Sequence, residues 1–254
     1  MGKRLVLLLT LMMAVAGMAQ QSDPYNTWFD EGNTAYNEGN YEQAMTAYQH
    51  IADAGMESAA LYYNMGNTYY KMKDYPHAIL FYEKALKLDP SDEDIRVNLE
   101  IANMAVVDKI TPIPQSCVAR WWNSLKSMLP ADGWAWLSVA LFALLLVCLF
   151  AFLMSRRTGL RKVGFFVGLL VLLCTVFAVV FAVESQRALH HHDEAIVMTP
   201  TVTVKSSPSE YSVDLFVLHE GTKVRIMDSA RDWNKIKIAD GSEGWLLASD
   251  MTEF

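Results

Sequence analysis

The chain has 254 residues, of which 52% are hydrophobic and 19% are charged, and its formal net charge is −7. This composition excludes a disordered chain and indicates extensive buried or lipid-facing surface. The acidic balance argues against nucleic acid as a partner, because neutralising phosphates requires an excess of Lys and Arg.

Residues 1–19 have the three-part pattern of a secretory signal peptide. Lys3 and Arg4 precede an apolar run, and Gly17 and Ala19 are the small residues expected near a cleavage site. An uncleaved anchor helix is the alternative, but the apolar run is short for a bilayer span. We therefore expect cleavage near Ala19 and export of the segment that follows.

Residues 25–110 contain an internal repeat with a period of 34. Seven positions carry the same residue at this offset: Gly32/Gly66, Asn33/Asn67, Thr34/Thr68, Tyr36/Tyr70, Tyr41/Tyr75, Ala44/Ala78 and Tyr48/Tyr82. The period predicts two pairs of antiparallel helices, with small residues where helices cross closely. A further helix beginning near Asp94 is expected to cap this short array, which a partner or the membrane segment would complete.

These positions resemble the tetratricopeptide repeat (TPR), whose pattern Trp28, Ala85 and Pro90 also fit. The resemblance implies a groove that binds partner proteins, lined by the first helix of each repeat. Its residues would be Phe29, Asn33, Tyr36, Tyr63, Asn64, Asn67 and Tyr70. The alternative is that these aromatic side chains only pack within the array.

The asparagines Asn33 and Asn64 match a TPR subclass that captures a C-terminal carboxylate. That subclass has basic residues where this chain has Phe29 and Asp94. The replacement favours a partner segment held by amide hydrogen bonds and aromatic faces.

Two uncharged stretches, residues 133–155 and 163–183, predict two transmembrane helices. Gly164 and Gly168 would allow these helices to approach closely. The preceding linker, residues 111–132, contains Trp121, Trp122, Leu125 and Met128, which fit an interfacial helix and a packed linker equally well.

The loop at residues 156–162 contains basic residues and no acid, which places it in the cytoplasm. Together with the signal peptide, this predicts a two-span protein of the plasma (inner) membrane. The repeats and the C-terminal region would then lie outside the cytoplasm, in the periplasm.

Residues 194–254 contain six short runs rich in β-forming residues, separated by turn residues. They predict a small all-β barrel. The blocks SSPSE, LHEGTKVRI, DWNKIKI and DGSEGWLL resemble the bacterial SH3-like domain. This resemblance implies a module that binds peptides or cell-wall components, with Trp245 in the core and Trp233 at the surface.

Candidate catalytic and metal-binding residues are scattered. The run of histidines at residues 190–192 is better read as a hydrophilic spacer than as a metal site, because adjacent helical positions do not share a face. Cys117 is a lone thiol, and Cys148 and Cys174 lie in the spans, where we expect them to pack. We therefore predict no catalytic residue, no metal, no cofactor and no enzymatic activity.

The order of signal peptide, TPR array, two-span hairpin and SH3-like domain resembles the TPR and SH3-domain membrane protein of the aerotolerance (Bat) operon family. That resemblance implies a scaffold in an envelope complex linked to oxidative stress. Partners implied by it are proteins with von Willebrand factor A domains and other TPR proteins. The alternative function is a cell-wall tether that binds peptidoglycan through residues 194–254.

Overall fold

A computed structural model describes residues 24–191 and 193–254, so the predicted signal peptide lies outside the described residues. The chain divides into two compact units between Glu57 and Ser58. The helices are α1 (Pro24–Asn37), α2 (Tyr41–Asp53), α3 (Ala59–Lys71), α4 (Tyr75–Leu88), α5 (Glu93–Ala105), α6 (Cys117–Lys126), α7 (Ala131–Met154) and α8 (Thr158–His190). The strands are β1 (Glu194–Val197), β2 (Thr201–Lys205), β3 (Asp214–His219), β4 (Lys223–Ala230), β5 (Trp233–Lys237), β6 (Glu243–Leu247) and β7 (Met251–Glu253).

The repeated segment forms two helical hairpins, α1 with α2 and α3 with α4. In the second hairpin, side chains cap both helix starts: Ser58 accepts a hydrogen bond from the backbone N–H of Leu61, and Asp74 accepts one from that of His77. The turn inside each hairpin contains a residue with positive φ, Gly39 at 82° and Lys73 at 64°. The two hairpins therefore share a turn geometry at the 34-residue offset, although only the first uses glycine for it.

Helix α5 has the bounds of α3 shifted by 34 residues, so it corresponds to the first helix of a third repeat. It packs against α4 and buries Ile95, Leu99 and Ala102. Its exposed residues include Val97 and Met104, which occupy the positions of the two tyrosines through which α3 contacts α4. The face of α5 that would receive the next repeat helix is therefore apolar, whereas terminal repeats usually present a polar outer face.

Helices α7 and α8 are long and apolar enough to cross a membrane, as judged from length and composition. Helix α7 lies close to the predicted span 133–155. Helix α8 continues seven residues past the predicted span 163–183, because the polar residues 184–190 remain helical, and the connecting loop shortens to residues 155–157. Most apolar side chains of both helices are exposed, in contrast to the core helices of soluble proteins.

The two apolar helices pack along one stripe of α8, whose buried residues are Gly164, Gly168, Val171, Thr175, Ala178 and Phe181. A Cβ added to Gly164 would lie 3.1 Å from both the carbonyl oxygen of Cys148 and the backbone nitrogen of Phe152. This confirms the predicted close approach. Of the two cysteines expected to pack, only Cys148 is buried; the expectation for Cys174 is wrong, since it is exposed on the outer side of α8.

The C-terminal strands form an antiparallel sheet of seven strands in the order β3-β2-β6-β5-β4-β1-β7. Its recorded pairings leave β3 and β7 as edges, so the sheet is open rather than a closed barrel. Strand β7 is not among the six predicted runs, because three residues with one buried apolar side chain give almost no pattern. Trp245, predicted to be in the core, is half-buried, as is Trp233.

The sheet docks on the second helical hairpin within the unit 58–254. Val106 and Ile79 lie against Gly221, so closely that a Cβ at position 221 would collide with Val106. Gly221 also has a φ of 83°, which favours glycine. Ile113 donates a backbone hydrogen bond of 3.0 Å to the carbonyl oxygen of Ala239. The segment after α5 thus adds apolar and backbone contacts to the sheet.

Charged side chains complete this interface. Lys223 in β4 forms ion pairs with Glu83 of α4 at 2.9 Å and Glu194 of β1 at 3.0 Å. Burial opposes the charge of Lys223, but the two carboxylates outweigh it and raise its pKa. Lys87 donates hydrogen bonds to the carbonyl oxygens of Phe254 and His191, and burial lowers its pKa despite nearby acids.

Asp108 is the most connected side chain of the interface. It accepts hydrogen bonds of 2.7 Å from the backbone N–H of His219, from Nδ1 of His219 and from the hydroxyl of Thr222. Burial alone would raise the pKa of Asp108, but these hydrogen bonds outweigh burial and hold the pKa below its usual value.

Substituting Gly164 tests the packing of the two apolar helices. We expect Gly164→Leu to destabilise the hairpin by about 2 kcal/mol, because the new side chain meets the backbone of α7. The measurement is the free energy of unfolding of the detergent-solubilised chain, followed by circular dichroism. Gly159→Leu is the matched control, since nothing lies within 4 Å of a Cβ there; equal stability of the two variants would contradict the described packing.

Replacing Asp108 tests the docking of the sheet. Because the folded-state pKa is lowered, ionised Asp108 stabilises the fold above the usual Asp pKa of about 3.9, and this contribution is lost as the pH falls through the folded-state pKa. We expect Asp108→Asn to lower the unfolding free energy by about 2 kcal/mol at pH 7, with the difference narrowing in acid. Denaturant titrations from neutral to acidic pH measure the unfolding free energies of the wild type and the variant. The exposed Asp232→Asn is the control. A difference independent of pH would show that the carboxylate charge is not what docks the sheet.

Candidate partner-binding site

In each repeat a tyrosine of the second helix lies over the glycine of the first helix. The ring of Tyr82 leaves no room for a Cβ on Gly66, and its hydroxyl donates a 2.7 Å hydrogen bond to Oδ1 of Asn67. In the first unit, Tyr48 packs on Gly32 in the same way and donates a 2.8 Å hydrogen bond to Oδ1 of Asn33. The recurring glycine, asparagine and tyrosine therefore form one structural motif, which we call the tyrosine lock.

The predicted groove aromatics pack beside the tyrosine lock. Phe29 and Tyr48 have ring centroids 6.0 Å apart, as do Tyr63 and Tyr82. The rings of Tyr36 and Tyr41 are 5.6 Å apart, as are those of Tyr70 and Tyr75. The four predicted aromatics are half-buried. Packing and groove lining are thus compatible, since each ring contacts its own repeat and keeps part of its surface accessible.

A hydrogen-bonded network in the second unit includes a residue that the sequence reasoning missed. Asn98 of α5 donates hydrogen bonds to the hydroxyl of Tyr63 at 3.0 Å and to Oδ1 of Asn67 at 2.9 Å. The 34-residue offset would have found it, because Asn98 follows Asn64 by one period. Two predicted site residues, Tyr63 and Asn67, are brought together through this third side chain.

Asn64 is half-buried on the same helix. Its backbone carbonyl accepts a 2.7 Å hydrogen bond from the hydroxyl of Thr68. Substituting the side chain of Asn64 leaves this backbone bond possible, whereas substituting Asn67 breaks the tyrosine lock. The two asparagines are therefore not equivalent as probes of partner binding.

Trp233, predicted as a surface residue of the β-domain, begins β5 and is in register with Ala230 and Leu247. It belongs to the sheet and not to the repeats. The most exposed aromatic side chain of the sheet region is Tyr211, in the turn between β2 and β3, which the sequence reasoning did not select.

Among residues 24–191 and 193–254, no group of three or more His, Cys, Asp or Glu side chains has the spacing of a metal site. Cys117 and Cys174 are exposed free thiols, and Cys148 is a buried one. His219 lies against Asp108, with Nδ1 at 2.7 Å from Oδ1 of the carboxylate.

Comparison with known proteins supports the repeat. The family model for the tetratricopeptide repeat matches residues 59–92, which include α3 and α4. Tetratricopeptide repeat protein 12 of Homo sapiens is 34% identical over 77 residues, which are 30% of this chain and 11% of that protein. The matched segment thus spans about a tenth of that relative's length. The chain contains a TPR, and a TPR implies a role in protein–protein interaction.

The tyrosine lock can be tested by its effect on stability. Asn67→Ala leaves the donors of Tyr82 and Asn98 without their shared acceptor, so we expect a loss of about 2 kcal/mol, and Tyr82→Phe should cost about 1 kcal/mol. Denaturant unfolding of the full chain measures both. Asn103→Ala, an exposed asparagine of α5, should change stability by less than about 0.5 kcal/mol. Equal effects at Asn67 and Asn103 would refute the lock.

Proposed function

We propose that the chain is a non-enzymatic scaffold, anchored in the plasma membrane, that binds partner proteins outside the cytoplasm through its TPR helices. The observation that carries this proposal is the tyrosine lock, which recurs in both repeats with the same partners. It holds the first helix of each repeat so that half-buried aromatic and amide side chains remain available to a partner segment.

The exposed apolar surface of α7 and α8 supports membrane anchoring. Because so little of this surface is buried, leaving it in contact with water would be unfavourable. The basic residues Arg156, Arg157, Arg161 and Lys162 lie at or near their connection, which favours a cytoplasmic loop. The repeats and the sheet then lie on the opposite, periplasmic side.

The open sheet has short antiparallel strands, bulges in the pairings of β2 with β3 and of β4 with β5, and a turn at Gly221, which lies in one of the sequence blocks that carry the SH3-like resemblance. We propose that it is a second interaction module. The contacts that dock it come from α4 and from residues 106–113, so they do not involve the predicted partner-binding side chains of α3.

The order of modules supports placing the scaffold in the aerotolerance family, with partners among the von Willebrand factor A-domain and TPR proteins of that family. Two interaction modules and a membrane hairpin fit such an envelope complex. This part of the proposal rests on the resemblance and on the TPR.

The test is crosslinking with a reagent that does not cross the plasma membrane. It is applied to cells that have lost the layers outside this membrane but keep the membrane itself intact. We expect the full chain to capture specific proteins and Asn64→Ala to lose at least one of them, because the amide would no longer bind the partner segment. Asn103→Ala, which removes an exposed amide from α5, should retain the whole set.

Crosslinking only after permeabilisation would contradict the periplasmic orientation. An identical partner set for Asn64→Ala and Asn103→Ala, with both variants folded, would contradict binding through α3. Retention of Asn64→Ala partners together with sedimentation on purified peptidoglycan would favour the cell-wall tether instead.

A further inference from the structure

The two adjacent tryptophans of α6 have different surroundings. The indole N–H of Trp122 donates a 3.2 Å hydrogen bond to Oε2 of Glu184, and its ring lies 4.8 Å from that of Phe181. Both partners belong to α8. Trp121, by contrast, is 65% exposed. Trp122 therefore ties α6 to the end of the apolar hairpin, whereas Trp121, about 100° away around the helix, remains exposed.

The exposed side of α6 is apolar. Val118 is 75% exposed and Met128 is 62% exposed, and Leu125 between them is half-buried. Val118, Trp121 and Leu125 are spaced by three and four positions, which places them along one face of α6, and Met128 lies two residues after the end of this helix. Helix α6 is also the most amphipathic of the described helices. Such a face requires a partner that removes it from water.

The position of α6 identifies this partner. The indole N–H of Trp134, in the first turn of α7, donates a 2.9 Å hydrogen bond to the carbonyl oxygen of Lys126 at the end of α6. The ring of Trp134 also contacts Phe181, with centroids 4.8 Å apart. The apolar run of α8 ends at this level, since Glu184 is the first charged residue after Lys162. Helix α6 thus lies beside the boundary between the apolar and polar parts of the hairpin.

The hairpin also carries an exposed tryptophan near its start, Trp136, which is 75% exposed. The charges of α6 also fit a lipid surface. Residues 117–128 contain Arg120 and Lys126 and no acid, although the flanking regions outside the membrane are acidic. A basic amphipathic helix with a tryptophan on its apolar face is suited to anionic phospholipid headgroups.

We propose that α6 lies in the outer-leaflet interface of the membrane, with Val118, Trp121 and Met128 inserted at the boundary between headgroups and acyl chains. In this arrangement Trp121 contacts lipid, and Trp122 is a positioning residue that sets the orientation of α6 against α8. This proposal rests on the membrane anchoring proposed above. It adds a lipid contact that holds the start of the hairpin close to the membrane surface. The same contact holds the segment between α5 and α6, which packs against the sheet.

The test uses nitroxide labels on the full chain in liposomes of phosphatidylcholine with and without phosphatidylglycerol. Four single-cysteine variants are compared after the other native cysteines are replaced by Ala: Val118→Cys, Asn123→Cys on the opposite side of α6, native Cys174 on the exposed side of α8, and Glu210→Cys in the sheet. The measured quantity is the collision rate with oxygen, which concentrates in lipid, relative to that with a water-soluble nickel chelate.

We expect a several-fold higher ratio of oxygen to nickel collisions at position 118 than at position 123, and a larger increase when phosphatidylglycerol is present. Position 174 should show the highest ratio, and position 210 the lowest. Equal ratios at positions 118 and 123, with position 174 in lipid, would overturn the proposal while leaving membrane anchoring intact. A water-accessible position 174 would refute the anchoring itself. Protection of position 118 from both reagents would overturn the proposal in favour of a protein partner.

Discussion

The contact of the Tyr82 ring with Gly66 is the constraint on which the unit 58–254 depends. A side chain at position 66 would separate α3 from α4, and the bond from Tyr82 to Asn67 would be lost with it. Helix α4 also packs against α5 and against β1, and it supplies Glu83 and Lys87 to the sheet interface. A change in the angle between α3 and α4 would therefore alter the surface on which the sheet packs, as well as the repeat itself.

The docked sheet explains why Asp108 has three hydrogen bonds in so short a segment. It follows α5 closely, at the point where the chain must leave the helical repeat and approach β3 and β4. A partly buried carboxylate without donors would be costly, and here the backbone N–H and Nδ1 of His219 and the hydroxyl of Thr222 satisfy it. The sheet is thus held on the helices of the unit 58–254, and under the proposed function a partner that binds α3 would bind a body that includes the sheet.

The membrane hairpin and α6 complete the proposed organisation. Gly164 and Gly168 bring α7 and α8 together, Phe181 receives the rings of Trp122 and Trp134, and Trp121 remains exposed. The aromatic cluster therefore joins α6, α7 and α8 at the level where their apolar surface ends. Under the proposed function, this cluster connects the interaction modules to the bilayer without a long flexible linker.

Periodic features of the sequence predicted much of this protein. The 34-residue offset identified the repeat, the uncharged stretches located α7 and α8, and short runs of β-forming residues between turn residues located six of the seven strands. Each of these structures leaves a local pattern in the sequence. The offset also indicated small and bulky pairs such as Gly66 and Tyr82 before their contact was known. The same offset points to Asn98 from Asn64, but the hydrogen bonds of Asn98 to Tyr63 and Asn67 depend on where α5 packs.

Tertiary structure alone decided the remaining features. The pairing of Asp108 with His219 joins residues more than 100 positions apart, and no spacing rule connects them. The sequence also does not show that Trp122 binds α8 while Trp121 is exposed. Two neighbouring tryptophans cannot be distinguished until the position of α8 is known. The sequence by itself determined which elements form and which residues are apolar. Only the folded chain decided which polar and aromatic side chains meet, because those contacts depend on how distant elements pack.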